Sequence, residues 1–200
     1  MRLLFTALVL QVLAAAPALA DEQALERARK IVAGSCFLCH GTHGESATEL
    51  FPRLAGQNAT YIAKQLANFK SSERRSNVMQ PMVAALTPEE MRALGSYFAM
   101  HKSEPHPVSD ARLAAEGMVL YRQGGGATEV AACTGCHGER GEGTENLPRL
   151  AGQVASYLAT QLRNFGSRER SNDNAVMHTI AARMTDAEIR AVAEYLSGLD

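Results

Sequence analysis

The chain has 200 residues, 46% hydrophobic and 20% charged, with a formal net charge of −1. That length admits one or two domains, and the composition is that of an ordinary globular protein, which excludes intrinsic disorder. Residues 21–104 carry 10 basic and 9 acidic side chains and residues 108–200 carry 9 and 12, so neither half has the basic surplus that nucleic acid requires.

Residues 1–20 form a leader. Arg2 supplies the positive start, Leu3 to Ala16 the apolar stretch, and Ala18-Leu19-Ala20 the cleavage site before Asp21. The apolar run is too short to span a bilayer. Residues Asp21 to Ala33 are expected to form a helix with Ala24, Leu25, Ala28, Ile31 and Val32 on its apolar side. Gly34 is expected to end it just before Cys36.

Next comes Cys36-Phe37-Leu38-Cys39-His40, and 97 residues later the same pattern recurs as Cys133-Thr134-Gly135-Cys136-His137. C-x-x-C-H is the c-type haem attachment pattern: the two thiols form thioethers to the haem vinyl groups, and the adjacent imidazole becomes the proximal iron ligand. A redox dithiol or half a zinc site would share C-x-x-C. Here both strings end in His, and all four cysteines of the chain lie within them. The expectation is two covalently bound haem c groups, held by Cys36, Cys39, Cys133 and Cys136 and ligated by His40 and His137. Export would otherwise have suggested disulfides; with haem attachment it places the protein, soluble, in a bacterial periplasm.

A Gly-rich loop then leads to Phe51-Pro52-Arg53-Leu54-Ala55-Gly56-Gln57, a helix around Tyr61 to Phe69 and a charged loop through Arg74 and Arg75. Thr87-Pro88-Glu89-Glu90 reads as a capping box that opens a helix to about Met100. The second half repeats this order. Leu147 to Gln153 matches 51–57, Gln161-Leu162-Arg163-Asn164-Phe165 matches Gln65 to Phe69, and Thr185-Asp186-Ala187-Glu188 opens the last helix. The chain is a tandem duplication, with domains expected at 21–104 and 108–200. Its linker is 105–107, where Pro105 and Pro107 disfavour helix. A copy this small is short of core, and a haem wrapped by helices would complete it. The expected fold is all-α.

The sixth iron position decides whether such a site carries electrons or binds substrates. Aligning Thr87 with Thr185 places Met79 on Met177, 39 and 40 residues beyond His40 and His137. Thioether ligation raises the potential and closes the iron. Met82 competes in the first copy but aligns with Ile180, and Met184 competes in the second but aligns with Leu86 as a core residue. Of the other histidines, His43 and His178 are expected in solvent. His101 and His106 sit near the linker, and either would give a bis-His site. Pro52 and Pro148 either shape turns or present carbonyls to the proximal imidazoles. Arg53 and Arg149 are either surface charges or partners of haem propionates. Tyr61 and Tyr157, also repeated, read as packing residues.

The duplicated C-x-x-C-H, the P-R-L-A-G-Q segments at 52–57 and 148–153, the repeated Q-L-x-N-F, the matched methionines and the closing helices resemble the dihaem cytochrome c4 family. These are tandem class I cytochromes c, and the likeness covers the whole chain after the leader. It implies two domains, each round one haem, whose propionate edges face each other across a polar interface. It also implies one-electron transfer from a quinol-oxidising complex to a terminal oxidase, with peripheral membrane association. Carried over, the ligands are His40 with Met79 and His137 with Met177. One departure is that residues 108–200 contain no lysine. Two other functions share parts of the pattern. A dihaem peroxidase or thiosulfate-oxidising enzyme would need an open iron with acid–base groups beside it. A cytochrome subunit of a flavocytochrome sulfide dehydrogenase, or of another oxidoreductase complex, would use similar tandem domains.

Overall fold

The computed structural model describes residues 21–46 and 48–200; the leader expected at 1–20 lies outside the described residues. The first half contains helical residues 21–31 (α1), Phe37–His40 (α2), Ala59–Ser71 (α3), Met79–Val83 (α4) and Pro88–Ala99 (α5). The second contains Ala111–Gln123 (α6), Thr134–His137 (α7), Ala155–Ser167 (α8), Val176–Ala181 (α9) and Asp186–Ser197 (α10). No β-strand occurs among the described residues; a single isolated bridge joins Gly125 and Val130.

Both capping boxes form. Thr87 accepts from Glu90 N–H while Glu90 accepts from Thr87 N–H, and Thr185 and Glu188 repeat the exchange. Two orphan N–H groups are thereby satisfied at each helix start. From Thr87 onward the apolar spacing buries Met91, Leu94 and Phe98, the last two against Ala28, Val32 and Ile62. The matching core in the second half gathers Leu120, Tyr121, Leu158, Ile189, Val192 and Leu196. There α6 and α10 cross with their backbones touching: a Cβ on Gly117 would lie 1.9 Å from the Ala191 carbonyl oxygen. Only glycine fits there.

Gly34 does not end the first helix. The chain passes through a π-turn, Val32–Cys36, straight into α2, and the true stop is Gly41 at φ 77°. Glycine is tolerated inside a helix, whereas a positive φ ends one. The π-turn widens the helix by one residue at the cysteine, a placement common at functional sites. The second copy reaches its motif differently. Gly124 terminates α6, a loop closes through the Gly125–Val130 bridge, and Cys133 N–H returns to the Tyr121 carbonyl at 2.9 Å.

Candidate haem sites and the seam between them

Each C-x-x-C-H string ends at a glycine that turns the chain back over its own histidine. The carbonyl of Gly44 then accepts from Leu54 and Ala55 N–H at 2.8 and 3.0 Å, and that of Gly141 accepts from Leu150 and Ala151 at 2.7 and 3.1 Å. These bonds bring each P-R-L-A segment against the buried imidazole. His40 Nδ1 lies 2.9 Å from the Pro52 carbonyl oxygen and His137 Nδ1 lies 3.4 Å from that of Pro148. A carbonyl can only accept, so Nδ1 carries the proton and Nε2 keeps its lone pair. Burial pulls both imidazoles below their ordinary pKa, against the opposing pull of the proline carbonyls. Each is a neutral ring with a free nitrogen, the form an iron ligand takes.

No disulfide joins any of the four cysteines. Cys36 and Cys133 pack against the two apolar cores, and burial pushes both thiols up, Cys133 to about 11. Cys39 is half-buried and Cys136 exposed.

Met79 and Met177 are half-buried residues in the first turns of α4 and α9. Met79 N–H donates to Ser76 Oγ at 3.1 Å and Met177 N–H to Asp173 Oδ2 at 2.6 Å. Of their competitors, Met82 is 51% exposed. Met184 packs against the second core and its counterpart Leu86 against the first.

Arg53 and Arg149 are half-buried at the seam between the halves. Arg53 Nη1 donates to the carbonyls of Glu104 and Gly152. The Nε atoms of both arginines are buried without a hydrogen-bond partner among the described residues. Their backbones are clasped reciprocally. Gln57 Oε1 accepts from Arg149 N–H at 2.7 Å while its Nε2 donates to the Arg149 carbonyl at 2.8 Å. Gln153 does the same for Arg53, at 2.8 and 2.9 Å. The linker is pinned into this seam. Ser103 is buried between Gly56 and Gly152, both at φ 68°, and His106 N–H reaches the Ser197 carbonyl.

A second layer of the seam went unrecognised in the sequence. Arg74 Nη2 donates to Tyr157 OH and Gln161 Oε1, and Arg170 Nη2 donates to Tyr61 OH and Gln65 Oε1. Tyr61 and Tyr157 are therefore hydrogen-bonded cross-braces as well as packing residues. Burial alone would raise the Tyr157 phenol, but the two guanidinium groups draw it below its ordinary value. The repetition of Tyr, Gln and Arg at one spacing was the available signal. Nothing in it distinguishes packing on a haem from packing on the other half. His43 is exposed as expected, whereas His178 is half-buried, with Nδ1 2.9 Å from the Phe165 carbonyl. The α9 turn carries it inward beside Met177. His101 meets Tyr97 edge-to-face and His43 at a tilt, with ring centroids 4.7 Å apart in each pair.

The donor set fits haem c. Each half offers paired thiols beside a neutral imidazole with a free Nε2, and an arginine whose buried Nε lacks an acceptor. The fold and these paired sites define a two-domain c-type cytochrome with two covalently bound haem c groups. It is an electron-transfer protein rather than an enzyme. Residues 114–200 match the family model for cytochrome c, and residues 23–98 match that for cytochrome c oxidase, cbb3-type, subunit III. A cytochrome c4 of Thiocapsa roseopersicina is 44% identical over 93% of this chain and 96% of its own. A thiosulfate dehydrogenase electron acceptor of Thiomonas intermedia (strain K12) is 38% identical over 82% and 78%. The crystal structure of reduced recombinant cytochrome c4 from Pseudomonas stutzeri superposes with a TM-score of 0.82 at 34% identity, covering 88% of this chain and 98% of that one. The chain belongs to the cytochrome c4 family. No helix among the described residues is long and apolar enough to cross a membrane.

Proposed function

We propose that this protein carries single electrons in the periplasm from a quinol-oxidising complex to a terminal oxidase, with His40 and Met79 on one iron and His137 and Met177 on the other. The observation that carries the reading is the duplication of a complete ligand frame. In both halves a neutral imidazole is oriented by a proline carbonyl, and a methionine stands at the same aligned position, in the first turn of a short helix. Bound haem supplies a reversible one-electron ferric–ferrous couple. The chain's own residues do the rest. Cys36, Cys39, Cys133 and Cys136 would tether it, the histidines and methionines would ligate the iron, and Arg53 and Arg149 would offer their unpaired Nε groups to propionates. Among the described residues, Asp173 and His178 beside Met177 have no counterparts beside Met79, where Ser76 Oγ takes the backbone N–H, and this lack of a matched acid–base pair favours a carrier over bond-making chemistry.

A second reading draws on the relatives named thiosulfate dehydrogenase electron acceptor: the protein takes electrons from an oxidoreductase acting on reduced sulfur. This is the same class of alternative as a flavocytochrome sulfide dehydrogenase subunit. The two are separated by stopped-flow measurements on the holoprotein. Rapid oxidation of the reduced form by oxidase-containing membranes, with slow reduction by thiosulfate dehydrogenase plus thiosulfate, supports the respiratory carrier. The reverse pattern supports the sulfur-linked role.

A further inference from the structure

Arg74 and Arg170 are 8% and 7% exposed, yet neither forms an ion pair with a carboxylate among the described residues. Every side-chain acceptor they reach among the described residues is neutral. Gln65 Oε1 accepts from Arg74 Nη1 at 2.8 Å and from Arg170 Nη2 at 3.1 Å. Gln161 Oε1 accepts from Arg74 Nη2 and Arg170 Nη1, both at 2.8 Å. Two shared acceptors hold the guanidinium groups side by side. Phe69 and Phe165 cover them, at 4.6 and 4.4 Å from their ring centroids. Of the neighbouring carboxylates, Glu73 takes the Asn68 amide, Asp173 takes the N–H of Met177, and Glu169, adjacent to Arg170 in the chain, forms no ion pair with it.

Two like charges beside each other, away from water, are costly unless something nearby favours them. Aromatic faces and amide oxygens ease that cost without cancelling the charge. The pair also belongs to neither half, because each arginine bonds side chains of both. Each lies on the loop leading to a candidate axial methionine, five residues before Met79 and seven before Met177.

We propose that Arg74 and Arg170 form one shared positive charge that raises the reduction potential of both haems, so that each arginine tunes the iron of the opposite half as well as its own. An electron arriving at either site lowers that site's charge by one, and fixed positive charge favours the reduced state. Were an iron about 12 Å from such a unit charge, at an effective dielectric of about 20, its one-electron equilibrium would shift about tenfold, or ~59 mV. The inference rests on the two-haem carrier reading and deepens it.

The test is a redox titration of the holoprotein and its Arg74→Gln, Arg170→Gln and Arg74→Lys variants, with the two haems resolved by their own methyl resonances. Each Gln variant should lower both potentials, by about tenfold in the reduction equilibrium. Arg74→Lys, which keeps the charge, should leave both within about threefold of the parent. A shift confined to the variant's own half, no shift in either, or an equal loss in the Lys variant would overturn the proposal. The red-edge iron–thioether band is recorded for every variant. Its retention with unshifted potentials sinks this proposal alone, whereas its absence from the parent protein sinks the ligand assignment. If Arg74→Gln does not fold, Arg170→Gln reads the same cross-half effect from the other side.

Discussion

The two seam glutamines show how much one repeated residue can hold. Gln57 and Gln153 are each buried, and each satisfies both backbone groups of an arginine in the opposite half. Gln57→Ala leaves a buried N–H and a buried carbonyl unpaired, which costs about 1–3 kcal/mol. Gln153→Ala should cost the same, because the two clasps are related by the repeat. Denaturant unfolding of the holoproteins measures both, and a neutral result for either would show that water replaces the clasp. Gly117 is a sharper case. Its missing Cβ lets α6 and α10 touch, so Gly117→Ala should destabilise by about 2–3 kcal/mol despite alanine's better helix propensity. A stabilised variant would mean that the crossing relaxes freely. Neither role could be read from the chain alone. Gln57 was visible only as part of a repeated motif, and Gly117 sits in a helix without a turn to advertise it.

Among the helices, legibility followed local chemistry. Thr87 and Thr185 announced α5 and α10, because a capping box is written within four residues and needs no tertiary partner. Thr87→Ala and Thr185→Ala should each lower stability by about 1 kcal/mol, as measured by thermal unfolding. An effect well below that in both would show that the boxes form without contributing. Where the outcome depended on context, the local signal misled. Gly34 looked like a stop and is an interior helical residue, because hydrogen bonding continues through the π-turn to Gly41. His178 looked exposed, but α9 turns it onto the Phe165 carbonyl. The matched pattern of cysteines, histidines, prolines and methionines was legible because duplication supplied an internal comparison for each residue.

Over the whole molecule, the two halves hold together through polar side chains and a pinned linker, while a pH dependence arises from carboxyls within each half. Glu90 takes the Thr87 N–H and pairs with Arg27, and both hold its carboxyl below the ordinary value. For Glu194, burial alone would raise the carboxyl, but Asp110 N–H and the Ser109 hydroxyl outweigh it, and the net shift is downward. A carboxyl whose folded pKa is depressed contributes stability above its unfolded value of about 4.3, and that stability is lost as pH falls through the folded pKa. The unfolding temperature of the holoprotein should therefore be level from about pH 7 to 5 and fall below about 4.5. Glu194→Gln should flatten part of that fall, and an unchanged slope would remove Glu194 from the account. The seam was the least legible part of the protein. A repeat says that two copies exist, but their docking depends on residues such as Arg74 and Tyr157, which meet only in three dimensions.

The most direct measurement is the optical spectrum of the holoprotein, oxidised and then reduced, with and without carbon monoxide. The account predicts the red-edge iron–thioether band in the oxidised form at two-haem intensity, and a reduced spectrum that carbon monoxide leaves unchanged. A high-spin signal, or carbon monoxide binding by either haem, would contradict the claim that Met79 and Met177 close both irons.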